Sequence, residues 1–228
     1  MKKIVCISDT HGQHKSLTIP ECDLLIHAGD ATNMGKENEM RDFATWLKDQ
    51  KQAKEIVYVP GNHDIIAETD FAMVKDMFGE GVNVLTCGLK DVAGFKVFGY
   101  SYTPEFCGWA FQGDDHSRSH TKFRNMWRDM SIVKDAGKVD IMVCHGPMRG
   151  ILSTNAWEEE CGSHTIRDAW EKIKPKLYVC GHIHESYGRV RYPGSRVVVN
   201  AALPVYDSDN SVHDSCSYVL NEPQVVWL

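Results

Sequence analysis

The sequence lacks three features that would place it in other classes of protein. No run approaches the ~20 apolar residues that a membrane-spanning helix needs, so we predict no membrane partner. Positive charge is not in excess, since 25 Lys and Arg stand against 31 Asp and Glu and the net charge is −6. That balance argues against binding a nucleic-acid polymer, which requires a basic face. None of the eight cysteines forms a C-x-x-C pair, which argues against a structural zinc knuckle.

Other absences concern location and domain organisation. The first apolar run ends at Ser8, too early for the core of a signal peptide, and Cys6, Cys144 and Cys180 lie inside predicted strands as buried thiols. We therefore expect a cytoplasmic protein without disulfides. No internal repeat, low-complexity segment or linker interrupts the 228 residues. The chain is predicted to be one domain over residues 1–228.

Apolar runs and turn signals predict an α/β fold. The opening pattern, strand-loop-strand-helix-strand-helix, is typical of helices packed on sheets. After Val82 the strands follow closely, which indicates an antiparallel or mixed sheet. We therefore expect two packed mixed sheets with helices outside. The predicted helices are Glu37–Gln50, Asp70–Phe78, Arg118–Asp129 and Thr165–Lys174. The predicted strands are Lys3–Ser8, Asp23–Ala28, Glu55–Val59, Val82–Cys87, Phe95–Tyr100, Ile141–Cys144, Lys176–Cys180, Arg196–Asn200 and Ser217–Leu220.

Five short blocks with metal-binding residues each follow an apolar run. They read DTHG (9–12), GD (29–30), GNHD (61–64), CHG (144–146) and GHIH (181–184). Any one block could be a plain turn. Together they point to one site, because the carboxyl ends of strands in an open α/β sheet share one edge, where ligands bind. In extended backbone, residues i and i+2 point the same way, so Asp9 with His11, and His182 with His184, can each present two ligands to one place.

The blocks supply seven donors of mixed chemistry. Seven are too many for one tetrahedral ion and suit two divalent ions that share a bridging carboxylate. Manganese fits best, with iron, zinc, nickel or cobalt as alternatives. Two ions ~3.5–4 Å apart can hold a hydroxide nucleophile and clamp a phosphoryl group. The predicted ligands are the carboxylates of Asp9 and Asp30, the amide of Asn62 and the imidazoles of His11, His145, His182 and His184.

Residues beside these blocks have further possible roles. His63 could donate a proton to the leaving oxygen or stabilise charge on the phosphoryl group, and Asp64 could orient it. His27 is expected to pack or to support a ligand, and His14 to lie on a solvated loop. In the predicted long loop Thr103–Ser119, Trp109 or Phe111 could stack on a substrate base, or both could pin the loop to the body.

The ordered blocks resemble the calcineurin-like metallophosphoesterase superfamily, whose pattern is D-x-H, GD, GNH-[ED], H and GH-x-H. Within it, GYSYTPEFCGWAF (99–111), CHGPMRGIL (144–152) and GHIHESYGRV (181–190) with VVVNAA (197–202) resemble the small metallophosphodiesterase-domain proteins. The resemblance implies a four-layer α/β-β/α sandwich of two mixed sheets flanked by helices, of the metallo-dependent phosphatase type. It implies His63 as the catalytic histidine. One ion would be held by Asp9, His11, Asp30 and His184, and the other by Asp30, Asn62, His145 and His182.

One segment departs from the pattern of the protein phosphatases in this superfamily, GD-x-x-D-R-G. Here it reads GDATNMG, with Asn33 and Met34 in place of the Asp that supports the catalytic histidine and the Arg that grips phosphate. The departure favours small phosphodiesters, such as cyclic nucleotides, cleaved by attack of a metal-bound hydroxide. Alternatives are a phosphomonoesterase or protein phosphatase and, less favoured, a nuclease. A non-catalytic metal-binding module has no support, because every ligand position is filled.

Overall fold

The computed structural model describes residues 1–115, 124–135, 137–205 and 220–228. Its helices are α1 Glu37–Lys48, α2 Ile65–Thr69, α3 Phe71–Phe78, α4 Met126–Asp135 and α5 His164–Ile173. Its strands are β1 Lys3–Ile7, β2 Cys22–His27, β3 Ala53–Tyr58, β4 Asn83–Val84, β5 Cys87–Val92, β6 Phe95–Tyr100, β7 Thr103–Pro104, β8 Gln112–Asp114, β9 Arg124–Asn125, β10 Ile141–Cys144, β11 Leu177–Cys180, β12 Gly188–Tyr192, β13 Arg196–Asn200 and β14 Gln224–Trp227.

These strands form two large mixed sheets and one small one. The first sheet has the order β14-β1-β2-β3-β4, and only β14 runs antiparallel to its neighbour. The second has the order β12-β13-β11-β10-β6-β5, with antiparallel pairing at both edges and parallel pairing between. A short parallel sheet contains β7, β8 and β9. The predicted pair of mixed sheets is confirmed.

Side-chain alternation along the strands builds the layers. On β1, Ile4 and Cys6 lie in the core between the two large sheets, whereas Val5 and Ile7 face the opposite way. That outer face packs against α1 and α3. The outer face of the second sheet packs against α4 and α5, where Trp170 is buried. The order helix, sheet, sheet, helix confirms the predicted four-layer sandwich.

Sequence patterns supplied most elements but missed three of the four edge strands of the two large sheets. Strands β5, β12 and β14 were not predicted, because edge strands expose one side and carry a weaker apolar signal; β12, for example, reads GRVRY. The predicted strand Val82–Cys87 is shorter than expected, and the predicted loop Thr103–Ser119 contains β7 and β8. The helix predicted from Arg118 begins at Met126 and runs on to Asp135. Residues 116–123, 136 and 206–219 lie outside the described residues, and with them most of the predicted strand Ser217–Leu220.

The described cysteines and helices can be compared with the predictions about buried thiols and membrane spans. All seven cysteines in the described ranges have free thiols, and Cys6, Cys144 and Cys180 are buried in the strands as predicted. Burial raises the pKa of these three thiols, which keeps them protonated. Among the residues that the structure describes, each helix is too short or too polar to cross a membrane.

Candidate metal centre

The five sequence blocks meet at one edge of the sandwich. Backbone hydrogen bonds join their turns directly: Asp9 N–H donates to Gly29 O at 2.8 Å, and Gly181 N–H donates to His145 O at 2.9 Å. Parallel pairing of β1 with β2 and of β10 with β11 brings these turns level. The carboxyl ends of both sheets therefore face a common site, as the sequence predicted.

Left-handed backbone aims four of the seven donor residues. The φ angles are 56° at Asp9, 41° at His11, 55° at Asp30 and 68° at His182. Side chains other than glycine rarely adopt such angles, which cost on the order of 1–3 kcal/mol each and cluster at functional sites. Asp9 and His11 therefore converge as expected, but the expectation that extended backbone brings them together was wrong. Tight turns, and not strand alternation, direct both side chains.

The first cluster contains Asp9, His11 and His184, whose candidate ligand atoms all lie within 4.8 Å of one another. The Asp9 carboxylate accepts hydrogen bonds from His182 N–H at 3.0 and 3.1 Å and lies 3.4 Å from His184 Nε2. Burial alone would raise the pKa of Asp9, but the hydrogen bond and positive charge of His184 outweigh it and lower that pKa to about 2. Asp9 is thus an ionised acceptor at neutral pH.

His11 provides the test of whether this cluster fits a cation. Its Nε2 atom is buried and has no hydrogen-bond partner among the described residues. Burial lowers the pKa of His11 to about 4, so the imidazole is neutral at pH 7 and Nε2 can offer a lone pair. An unpartnered buried nitrogen beside an ionised carboxylate is the arrangement that a divalent cation satisfies.

The second cluster contains Asp30, His145 and His182, with the same spacing between candidate ligand atoms. His145 Nδ1 donates to Ala28 O at 2.8 Å, which directs Nε2 toward Asn62 Oδ1 at 2.9 Å and Asp30 Oδ2 at 3.4 Å. Burial would lower the pKa of His145, but the charge of Asp30 raises it to about 9. A proton on Nε2 therefore holds these oxygens in the metal-free protein, and a cation could replace it.

All seven predicted donors come together and divide as the family resemblance implied; of the two pairs that sequence spacing suggested, Asp9 with His11 is observed, whereas His182 and His184 are separated. His182 joins Asp30 and His145, whereas His184 joins Asp9 and His11. The two histidines are separated because His182 has left-handed backbone and His184 begins a 3-10 turn. Burial lowers the pKa of His182 to about 4, so this imidazole is also neutral at pH 7.

His63 contacts both clusters. Its backbone N–H donates to Asp30 Oδ1 at 2.8 Å, and its ring lies edge-on to the His11 ring at 4.9 Å. The ring Nδ1 donates to the backbone carbonyl of Asn33 at 2.6 Å, which leaves Nε2 for other partners. The expectation that Asp64 orients His63 was wrong. Asp64 instead accepts from the backbone N–H groups of Gly61, at 2.8 Å, and Thr32, at 3.0 Å.

Buried supports hold the turns around both clusters. His27 accepts from Gly29 N–H at Nδ1 and pairs with Thr10 Oγ1 at 3.0 Å, so it supports two turns as expected. Asn200 Nδ2 donates to Ile183 O at 2.9 Å. A Cβ atom at Gly181 would overlap the Asp9 carboxylate, so only glycine allows this approach.

His14 and Phe111 are also buried. The expectation of a solvated loop for His14 was wrong, because its ring packs against Phe43 and Trp46 beside Asp42. The signal that could have identified this position is the polar-apolar pattern of α1, whose apolar face needs a cover. Phe111 belongs to the core beneath the first sheet, so of the two interpretations given for it, pinning the loop is the one observed.

Comparison with known proteins gives the family. The calcineurin-like phosphoesterase model matches residues 2–186. Human metallophosphoesterase domain-containing protein 1 is 29% identical over 225 residues, which cover 88% of this chain and 66% of that protein. A UPF0046 protein of Caenorhabditis elegans is 30% identical over 213 residues, covering 88% of this chain and 69% of its own length.

Similarity to a solved structure supports the fold alone. TT1561 of Thermus thermophilus superposes with a TM-score of 0.58 at 16% identity, over 88% of each chain. The family implies a dinuclear site for divalent metal ions, and the two Asp/His clusters at the strand ends have the donor types for it. On the match over residues 2–186 and the relatives above, this chain belongs to the calcineurin-like phosphoesterase family.

Proposed function

We propose that this protein is a metal-dependent phosphodiesterase that hydrolyses small substrates such as cyclic nucleotides. The observation that carries the proposal is the pair of adjacent clusters, each with one ionised carboxylate and two imidazoles, with His63 in contact with both. When bound, two divalent ions would supply a water of lowered pKa and would stabilise negative charge on the phosphoryl group.

Seven side chains would hold the two ions. Asp9, His11 and His184 would hold one, and His145, His182 and Asn62 the other, with the Asp30 carboxylate between them. Left-handed turns and buried hydrogen bonds fix these side chains before a cation arrives, which lowers the cost of assembling the site. Manganese is the metal proposed for this mixture of oxygen and nitrogen donors.

His63 would act on the substrate. Because the Nδ1 proton is held by the Asn33 carbonyl, only Nε2 is available to the substrate, and the doubly protonated ring would give its Nε2 proton to the leaving oxygen. A carbonyl is neutral, so it holds the ring without the extra negative charge that an aspartate at this place would bring. The stacked Trp109 ring, 4.1 Å away and inclined by 27°, restricts the imidazole from one side.

A phosphodiester suits this site better than a phosphomonoester. Asn33 and Met34 stand where the phosphatases have Asp and Arg, and Met34 is 52% exposed. A monoester carries up to two negative charges and gains more from an arginine than a diester, which carries one. The segment therefore favours the less charged substrate.

The test is a direct comparison of two aryl substrates. Protein reconstituted with Mn²⁺ is expected to show a higher kcat/KM for bis(4-nitrophenyl) phosphate than for 4-nitrophenyl phosphate. A preference for the monoester would overturn the diester assignment. Absence of turnover of both substrates with Mn²⁺, Ni²⁺, Co²⁺ and Zn²⁺ alike would falsify the proposal that the protein is a phosphoesterase. Cyclic 2′,3′- and 3′,5′-nucleotides then define the substrate class.

His63→Ala should lower kcat by ~10²–10⁴ if His63 donates the proton to the leaving group. His164→Ala, which changes an exposed histidine, is the control.

A further inference from the structure

An aromatic loop, residues 105–109, lies over the candidate metal centre. The chain enters it from β7 and leaves it through buried Ala110 and Phe111. Glu105, Phe106, Cys107 and Gly108 are all exposed, and Trp109 is half-buried. The two residues between Phe106 and Trp109 have left-handed backbone, with φ of 51° at Cys107 and 68° at Gly108. The loop therefore turns sharply between the two aromatic side chains.

Hydrogen bonds fix this loop to the elements that carry the site. Ala110 N–H donates to the backbone carbonyl of Asn62 at 3.2 Å, and Phe111 N–H donates to Glu68 Oε1 at 3.0 Å. Gln112 closes the loop from inside: its Oε1 accepts from Phe106 N–H and its Nε2 donates to Ala110 O at 3.0 Å. The position of the loop is thus set relative to Asn62 and does not depend on the packing of Phe106.

The two rings of the loop flank the two sides of the site. Trp109 stacks on His63, while Phe106 lies edge-on to His182 with 6.4 Å between ring centroids. Phe106 is 57% exposed and belongs to none of the apolar cores, unlike Phe111, which is 1% exposed and anchors the loop. The Phe106 ring therefore has a solvent-accessible surface beside His182, a candidate ligand of the second ion.

We infer that Phe106 is a specificity-determining residue that stacks on a planar aromatic group of the substrate, such as a nucleobase or a phenyl ring. The inference rests on the proposed function, since the phosphoryl group between the clusters would place its substituent against this loop. Every base or aryl group has a π face, and stacking on an aromatic side chain needs no hydrogen bond. The recognised class is then a phosphate ester with a flat apolar substituent, in preference to one with an alkyl group.

The test measures binding and not turnover. Titration calorimetry on the Mn²⁺-loaded protein compares phenylphosphonate with methylphosphonate, which share the charged group and cannot be hydrolysed. The wild-type protein is expected to bind phenylphosphonate more tightly. Phe106→Leu keeps an apolar side chain but removes the ring, and should weaken phenylphosphonate by about two- to tenfold while leaving methylphosphonate unchanged.

A control and a separate readout keep the outcomes distinct. Trp227→Leu removes an equally exposed ring, 56% accessible, on β14 beside Lys3, at the opposite end of β1 from the site. It should leave the binding of both phosphonates unchanged. Equal binding of the two phosphonates by the wild-type protein, or an equal effect of Phe106→Leu on both, overturns the inference. Failure of the proposed function would instead appear as absent hydrolysis of aryl diesters while the preference for phenylphosphonate persists.

Discussion

Lowering the pH from 6.5 to about 4.5 should destabilise the metal-free protein, and His27 alone should account for about 2 kcal/mol of that loss. His27 is fully buried on β2, with its ring edge-on to Phe43 at 4.8 Å and to Tyr58 at 5.5 Å. Its Nδ1 accepts from Gly29 N–H at 3.2 Å, which requires an unprotonated nitrogen. Burial lowers the pKa of His27 from 6.5 to about 3.

Stability falls in acid because the unfolded chain takes up a proton on His27 at a higher pH than the folded chain does. In the unfolded chain His27 takes up a proton near its ordinary pKa of 6.5, but in the folded chain not until about pH 3. Between these values the unfolded state binds more protons, so stability falls as the pH falls. Integrating that difference from pH 6.5 to about 4.5 gives roughly 2 kcal/mol, since each pKa unit is worth ~1.4 kcal/mol.

Other histidines act in the same window, so the assay must isolate His27. Burial lowers the pKa of His11 and His182 to about 4, which adds to the loss in acid. The pKa of His145 is raised to about 9, so its contribution is fully present below pH 6.5 and is lost only as the pH rises toward 9. The quantity to compare is therefore the difference between a variant and the wild-type protein.

The assay is urea unfolding in the presence of a chelator at several pH values. His27→Gln keeps a polar side chain that cannot titrate, and its stability should fall by about 2 kcal/mol less than that of the wild-type protein over this range, or roughly 0.7 M or more in the midpoint. His164→Gln removes an exposed histidine and is the control. If His27→Gln and the wild-type protein lose stability in parallel, His27 is not buried as a neutral ring.

Three further predictions concern the site and its turns. Added Mn²⁺ should stabilise the protein by ~2.7 kcal/mol per site at a hundredfold excess over Kd, and Asp30→Asn should remove most of that gain in scanning calorimetry; an undiminished gain would place the metal elsewhere. Gly181→Ala should cost about 1–3 kcal/mol and weaken Mn²⁺ binding by calorimetry, because the new methyl group overlaps Asp9, whereas Gly88→Ala faces open space and should do neither. Asp64→Ala should cost at least about 2 kcal/mol in urea unfolding, because buried N–H groups of Gly61 and Thr32 lose their acceptor; a smaller cost would show that other groups replace it.

The sequence by itself determined the fold class, the main strands and the residues of the candidate site. Buried parallel strands such as β1 and β10 are continuous apolar runs, so they can be read without knowledge of their neighbours. The polar blocks that follow them are local features of the chain, and a shared sheet edge is the general consequence of parallel pairing.

The family resemblance implied how the donors divide between two ions, but sequence spacing did not, and only the tertiary structure decided what orients and supports them. His182 and His184 are two residues apart yet face different clusters, because left-handed backbone at His182 breaks the strand geometry that spacing assumes. The partner of His63 is a backbone carbonyl, which no side-chain pattern can indicate. His14 and Phe106 differ in burial for the same reason: exposure depends on which distant element packs over a residue, and the local sequence carries no record of that contact.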